Sequence, residues 1–228
     1  VTVAAVVALL SFLGFLSIAE EVVEPLSLAM DRTSTAIAVA LRTPALTRVF
    51  WVFTLMGDAR VMVVETLVAS LLLAVWGHPR RAGSIVLLQL LGLGLQVWLK
   101  AVIDRPRPPA ALALVVEPAS ASFPSGHALA GVLLFGTLAL MLASAPRLRP
   151  WLRAWGSVGV FVLTAGIGLS RVYLGVHYFS DVLASWLLGT SMVAVWAAAV
   201  LVWGRTHTVR EAGRARVRAA WRWAIAAA

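Results

Sequence analysis

Six stretches of this chain stay apolar long enough to reach or approach the roughly 20 residues that cross a hydrocarbon core. They are Val3–Ile18, Arg60–Gly77, Gly83–Ile103, His127–Ala143, Trp155–Tyr173 and Val182–Trp203. The expected fold class is therefore all-α, a six-transmembrane helix bundle. Composition agrees: 61% of the 228 residues are hydrophobic, only 13% are charged, and mean hydropathy is +0.92. A soluble domain carries about a quarter of its residues as charges. The absence of cysteine excludes disulfides and thiolate metal sites, and leaves the redox compartment open.

Between the first and second spans, Glu20–Asp58 is too polar at its start to cross a bilayer, yet turns apolar around Phe50–Met56. It is expected to form one or two amphipathic helices at the interface, with partial re-entry as the alternative. The chain opens on Val1 rather than Met, which leaves room for a short preceding piece. Residues 1–19 lack a basic leading region and a small-residue cleavage site, so they read as a retained span, not a signal peptide.

Charge asymmetry predicts the orientation. Arg80 and Arg81, then Arg147, Arg149 and Arg153, then the tail from Arg205 to Arg222 fall on one side, with Glu211 as their only acid. Glu20, Asp31, Asp58, Asp104, Glu117 and Asp181 fall on the other. By the positive-inside rule the arginine-rich loops, and with six spans both termini, are cytoplasmic in a multi-pass protein of the cell membrane. The domain division follows: residues 1–204 form a single transmembrane domain and 205–228 a basic cytoplasmic tail. The tail reads either as a solvated basic helix or as one lying on anionic headgroups with Trp221 and Trp223 as anchors. Nucleic acid is not an expected partner, because no base-reading module accompanies the charge.

Three polar stretches, all on the acidic side of that topology, hold the chemistry. In the first, Lys100 and Arg107 bracket the outer end of the third span, and Pro106, Pro108 and Pro109 stop the helix between them. Lys100 is either a cation for a bound anion or a side chain snorkelling to the interface. Arg105 and Asp104 read as an ordinary surface pair. In the second, Pro124-Ser125-Gly126-His127 precedes the fourth apolar run. Ser125 suits a helix N-cap and Gly126 permits close backbone approach, so the free amides of the first turn make an anion site within reach of His127. A plain cap beside a headgroup-level histidine is the alternative.

In the third stretch, Ser170-Arg171 and His177 followed by Asp181 straddle the last connection between spans. Four residues apart, Asp181 can hold one imidazole nitrogen of His177 and leave the other lone pair as a nucleophile. Arg171 offers a planar fork for phosphate oxygens. A structural His–Asp pair is the bland reading, and metal ligation is weakly supported without a denser ligand cluster. Charges near apolar spans are costly, roughly 2.5–3.5 kcal/mol each at a helix centre, so clustered cations call for an anionic partner. A phosphate would be that partner. Glu65, inside the second span, reads as an interior hydrogen-bonded residue or as a substrate or proton-relay contact.

Lys-x6-Arg-Pro, Pro-Ser-Gly-His and Ser-Arg-x5-His-x3-Asp, in this order and without a substitution at the defining positions, resemble the three signatures of the type-2 phosphatidic acid phosphatase superfamily. The motifs cover about residues 100–181, and the six-span layout extends the likeness over most of the chain. The resemblance implies His177 as the nucleophile of a phosphohistidine intermediate, Asp181 as its orienting partner and His127 as the general acid for the leaving alcohol. It implies Lys100, Arg107, Arg171, Ser125 and the Gly126 amide as the phosphate cradle, with no metal and no cofactor. Within the family the likeness is closest to bacterial membrane enzymes acting on undecaprenyl pyrophosphate, phosphatidylglycerophosphate or phosphatidate. The expected partners are thus a lipid phosphate substrate and membrane lipids, with no obligate protein partner evident. Transfer of the phosphoryl group to a lipid acceptor is a competing activity that sequence cannot separate from hydrolysis. A non-catalytic lipid transporter is disfavoured by the intact His127, His177 and Asp181. The Glu20–Asp58 segment is expected to frame the entrance for the lipid tails.

Overall fold

The computed structural model describes residues 1–226 apart from 24–28, 118–119 and 147, with side chains described as far as Trp203. Among the described residues there is no strand. The helices in chain order are α1 (Thr2–Val23), α2 (Ala29–Ala40), α3 (Pro44–Met56), α4 (Ala59–Val75) and α5 (Pro79–Ile103). A short 3-10 turn at Ala110–Leu112 precedes α6 (Gly126–Gly131), which passes through a π-helical turn at Val132–Gly136 into α7 (Thr137–Ala143). Then come α8 (Pro150–Tyr173) and α9 (Phe179–Ala226). Side chains of the basic tail, with the expected anchors Trp221 and Trp223, lie outside the described residues.

Among the described residues, five rods are long and apolar enough to cross a membrane: α1, α5, the continuous Gly126–Ala143 unit, α8 and the Phe179–Trp203 part of α9. The second expected span, α4, has 17 residues, the short end of the spanning range. Apolar residues on the outside of the bundle are what a lipid solvent requires: Leu71 is 65% exposed and Phe161 73%. The inside is assembled from Phe15, Leu88, Phe123, Leu129, Leu133 and Leu188, with a second cluster around Ile85, Leu134 and Ile167.

Small residues let the rods approach. A Cβ on Gly92 of α5 would sit 2.2 Å from Leu133 of the π turn, and one on Gly168 of α8 2.5 Å from Trp186 of α9. Without a hydrophobic drive between helices in lipid, such close packing is a main source of their association. Ser191 adds a buried hydrogen bond from α9 to the Ala8 carbonyl of α1, 3.0 Å.

The helix ends place the chemistry. Lys100 occupies the last turn of α5, which stops at Ile103; Asp104 turns left-handed (φ 41°) and the prolines at 106, 108 and 109 prevent resumption. Gly175 makes the turn between α8 and α9 at φ 73°, and a Cβ there would meet the Leu112 carbonyl oxygen at 2.2 Å. Only glycine satisfies both constraints.

The segment from 20 to 58 holds two short helices, α2 and α3. Glu20 and Glu21 belong to the last turns of α1, and residues 24–28 lie outside the described residues. Asp31 of α2 is buried, Ala38 packs on Val172 and Val182, and Phe50 of α3 stacks on Tyr173 at 4.4 Å. Asp31 is the polar residue of α2 that is buried with partners elsewhere in the protein, Arg105 and Ser180, while Arg32 and Thr33 are exposed.

Candidate active site

The sequence-predicted residues arrive from the end of α5, the loop after it, the start of α6, the end of α8 and the α8–α9 turn running into α9. Lys100 donates through Nζ to the Ala121 carbonyl at the end of α5. Arg107, in the loop that follows, is braced by Ser120 (Nε to the carbonyl oxygen, 2.9 Å; Nη2 to Oγ, 3.0 Å) and by the Val176 carbonyl, 2.9 Å. Its Nη1 then lies 3.4 Å from Nε2 of His177. The other imidazole nitrogen, Nδ1, is 3.3 Å from Oδ2 of Asp181. One ring atom is thus committed to a carboxylate, while the opposite one faces a cation. With Nδ1 held by the carboxylate, the neutral ring carries its lone pair on Nε2.

His177 is buried in the loop between α8 and α9. Burial pushes its pKa down to about 4; the adjacent Asp181 carboxylate resists that shift, and Arg171 and Arg107 reinforce it. The ring is therefore neutral at pH 7, the form a nucleophile needs.

Asp181 has no freedom. It accepts from Arg105 Nη1 (2.5 Å), from the Tyr178 amide (2.9 Å) and from Ser122 Oγ. Arg105 is therefore not half of a surface pair with Asp104. It is buried, bridges Asp181 and Asp31, and lies over the Tyr178 ring at 4.3 Å, while Asp104 caps α5. Burial opposes its charge, but Asp181 and Asp31 outweigh that and hold its pKa above the ordinary guanidinium value. The sequence reading failed at Arg105 because two arginines one residue apart look equivalent, and only packing distinguishes the one turned inward.

Ser125 occupies the N-cap position of α6 but makes no capping hydrogen bond, and its buried Oγ has no partner among the described residues. Gly126 lies so close to Gln96 of α5 that a Cβ would fall 2.5 Å from Nε2 of that side chain. His127 makes no hydrogen bond among the described residues and is held by packing, its ring lying against Gly57. Arg171 is buried at the end of α8, with Nη1 donating to Thr54 Oγ1 (2.5 Å), Nη2 paired with Glu117, and Nε without a partner among the described residues. The other Glu117 oxygen is 3.7 Å from Arg107 Nη2. A carboxylate therefore bridges the two arginines.

Lys100, Arg107, Gly126, His127 and His177 line one cavity of about 490 Å³. Arg171, Ser125 and Asp181 stand behind that lining, and Glu117 covers Arg171. The rest of the cavity is mostly apolar, running between α4, α5 and the Gly126–Gly136 stretch past Met62, Leu67, Leu90, Leu93 and Leu133, with Thr66, Gln89 and Gln96 also in its wall. Of the described residues in 20–58 only Gly57 lines it. Glu65 is not in the lining either; its Oε2 is buried without a partner among the described residues. No sequence signal pointed to Asp31, Thr54, Glu117 or Ser122, which reach the site only through tertiary packing.

Comparison with known proteins identifies the family. The PAP2 superfamily model matches residues 81–206, which contain all three motifs. Phosphatidylglycerophosphatase B of Bacillus subtilis (strain 168) is 28% identical over 180 residues, covering 78% of this chain and 87% of that protein. Undecaprenyl-diphosphatase of Sulfolobus acidocaldarius is 39% identical over a shorter stretch of 74 residues, 32% of this chain and 31% of that one. Among solved structures, the first transmembrane PAP2 type phosphatidylglycerolphosphate phosphatase from Bacillus subtilis has a TM-score of 0.74 at 26% identity, covering 89% of this chain and 96% of its own. Aquifex aeolicus LpxE shares the fold at a TM-score of 0.55 and 23% identity, over 74% of this chain and 96% of its own. With the family model spanning more than half of its length and its helices built as above, the chain belongs to the PAP2 superfamily, as a multi-pass membrane phosphatase.

Proposed function

We propose that the chain hydrolyses a lipid phosphate or diphosphate on the extracytoplasmic face of the cell membrane, without a metal ion, through a phosphohistidine at Nε2 of His177. One observation carries this reading: an Asp181-held imidazole presents its free nitrogen beside Arg107, at the polar end of a cavity whose other end is apolar. A lipid fits both ends, with its phosphate at the cations and its chains along α4 and α5. Candidate substrates are phosphatidylglycerophosphate, undecaprenyl pyrophosphate and phosphatidate; relatives are named for the first two. In this reading α4 is the sixth span, and the arginine-rich loops lie in the cytoplasm.

Substrate first displaces the Glu117 carboxylate, so that phosphoryl oxygens take its place on Arg171 and Arg107, joined by Lys100 and the Gly126 amide. The Nε2 lone pair then forms the N–P bond as the P–O bond to the leaving oxygen breaks, and His127 donates a proton to that oxygen. Asp181 stabilises the positive ring. A water next attacks phosphorus, gives its proton to His127 and releases phosphate, returning the electron pair to Nε2. Fixed cations oppose the developing charge throughout, the role metal ions fill in other phosphoryl transfers.

A phosphate-release assay on detergent-purified protein with EDTA present tests the proposal. Activity should persist in EDTA, vanadate should inhibit, and His177→Ala should lose all but about a thousandth of the rate, as expected for a lost nucleophile. His127→Ala should lose roughly a hundredfold on alkyl phosphates and far less on aryl phosphates, whose leaving oxygens need no proton. Full activity in His177→Ala would end the nucleophile assignment.

A further inference from the structure

Asp31 belongs to no motif, yet its carboxylate is fully buried behind the reaction centre and saturated with bonds. It accepts from Arg105 Nη2 (2.7 Å), from the Ser180 amide (2.8 Å) and from Ser180 Oγ (2.6 Å). Arg105 spends its other arm on Asp181 (2.5 Å) and Ser180 Oγ (2.8 Å). Two carboxylates therefore share one guanidinium, and the trio carries a net charge of −1 a single residue behind the histidine. We propose that Asp31 is a positioning residue for phosphoryl transfer, occupying Arg105 so that Asp181 keeps a negative charge for the His177 ring.

The argument is one of charge count. The ring becomes positive when Nε2 bonds to phosphorus, and Asp181 is its bonded counter-ion. With Arg105 and Asp181 alone, the guanidinium would cancel that counter-ion at 2.5 Å. Asp31 restores the balance from the far side of Arg105. Burying a third charge is expensive unless it is fully paired, as Asp31 is. The other groups facing His177 are mostly cationic and add to the need: Lys100 from α5, Arg107 from the following loop, and Arg171 from α8. His127 of α6 and Glu117 also face the cavity, Tyr178 lies under Arg105, and Asp58 at the start of α4 faces Arg171 rather than the imidazole. Asp31 is the acid that α2 contributes, and it acts only through Arg105.

The proposal rests on His177 as nucleophile, and the test separates the two. The pH dependence of kcat/KM on one soluble short-chain lipid phosphate is measured for wild type, Asp31→Asn, Arg105→Gln and the double variant, so substrate ionisation is common to all. Asp31→Asn should move the acid limb down by about one pH unit and lower kcat about tenfold, because a buried negative charge is lost. Arg105→Gln should move that limb up, and the double variant should return it toward the wild-type position. A merely structural role predicts losses of activity with no opposed shifts, and a double variant worse than either single. An unmoved limb in Asp31→Asn, or shifts of the same sign in both singles, overturns the proposal. If Asp31→Asn does not accumulate as folded protein, the upward shift in Arg105→Gln decides alone, and a downward or absent shift is fatal. His177→Ala with wild-type turnover would instead sink the nucleophile, whatever Asp31 does.

Discussion

His177 titrates in a window set by its surroundings. Its pKa of about 4 lies below the ordinary 6.5 because burial outweighs the help of Asp181. With the neutral ring as the proposed nucleophile, kcat/KM should be flat with respect to this group near pH 7 and fall tenfold per pH unit once the pH drops below about 4. The same shift has a stability consequence. Between about 4 and 6.5 the unfolded chain binds the proton more readily, so this contribution to stability is complete above 6.5 and is lost as pH falls through 4. A pH–rate profile on the purified enzyme checks the first statement, and melting temperatures across the same range check the second. Glu117 makes a different prediction. Its carboxylate sits on Arg171 and near Arg107, where the substrate's oxygens must go. Glu117→Gln removes the competing charge, and the inhibition constant for vanadate should fall about tenfold, the factor carried by about 1.4 kcal/mol. Weaker inhibition would mean that Glu117 instead holds Arg171 in place.

At the scale of elements, α4 and α5 form the two walls of the apolar arm of the cavity, and α6 supplies its polar end. Narrowing that arm should discriminate between substrates by their chains. Leu67→Trp or Leu90→Trp should raise KM for a long-chain lipid phosphate roughly tenfold and leave a small aryl phosphate unaffected, since filling the groove removes apolar burial worth about 1–3 kcal/mol. Equal losses on both substrates would place the chains elsewhere. The loop from Asp104 to Ser125 is the second decisive element. It sends Arg107 to Nε2 of His177, Arg105 to Asp181, Ser122 to the same carboxylate and Glu117 to Arg171. Its prolines limit the chain's freedom before folding, so less entropy is lost in fixing these side chains.

For the molecule as a whole, orientation is the testable quantity. The chain has no cysteine, so a single introduced thiol reports its own side of the membrane. Val116→Cys, at a side chain 99% exposed in the loop between α5 and α6, should react with an impermeant maleimide in intact cells, and Arg81→Cys only after permeabilisation. The reverse pattern would invert the topology and put the active site in the cytoplasm. Hydropathy and proline spacing by themselves determined the helical rods and their ends within a few residues, and the motif resemblance picked out Lys100, Arg107, His127, Arg171, His177 and Asp181 as the candidate set. These are local properties: a run of apolar residues must be helical in lipid, and motif residues sit at fixed offsets from helix ends. Tertiary structure alone decided that Arg105 points inward while Arg107 faces the cavity, that Asp31 joins the site from 150 positions before Asp181, and that Glu117 covers Arg171. A buried charge is settled by what lies across from it in space, and partners so far apart in the chain leave no periodic trace in the sequence.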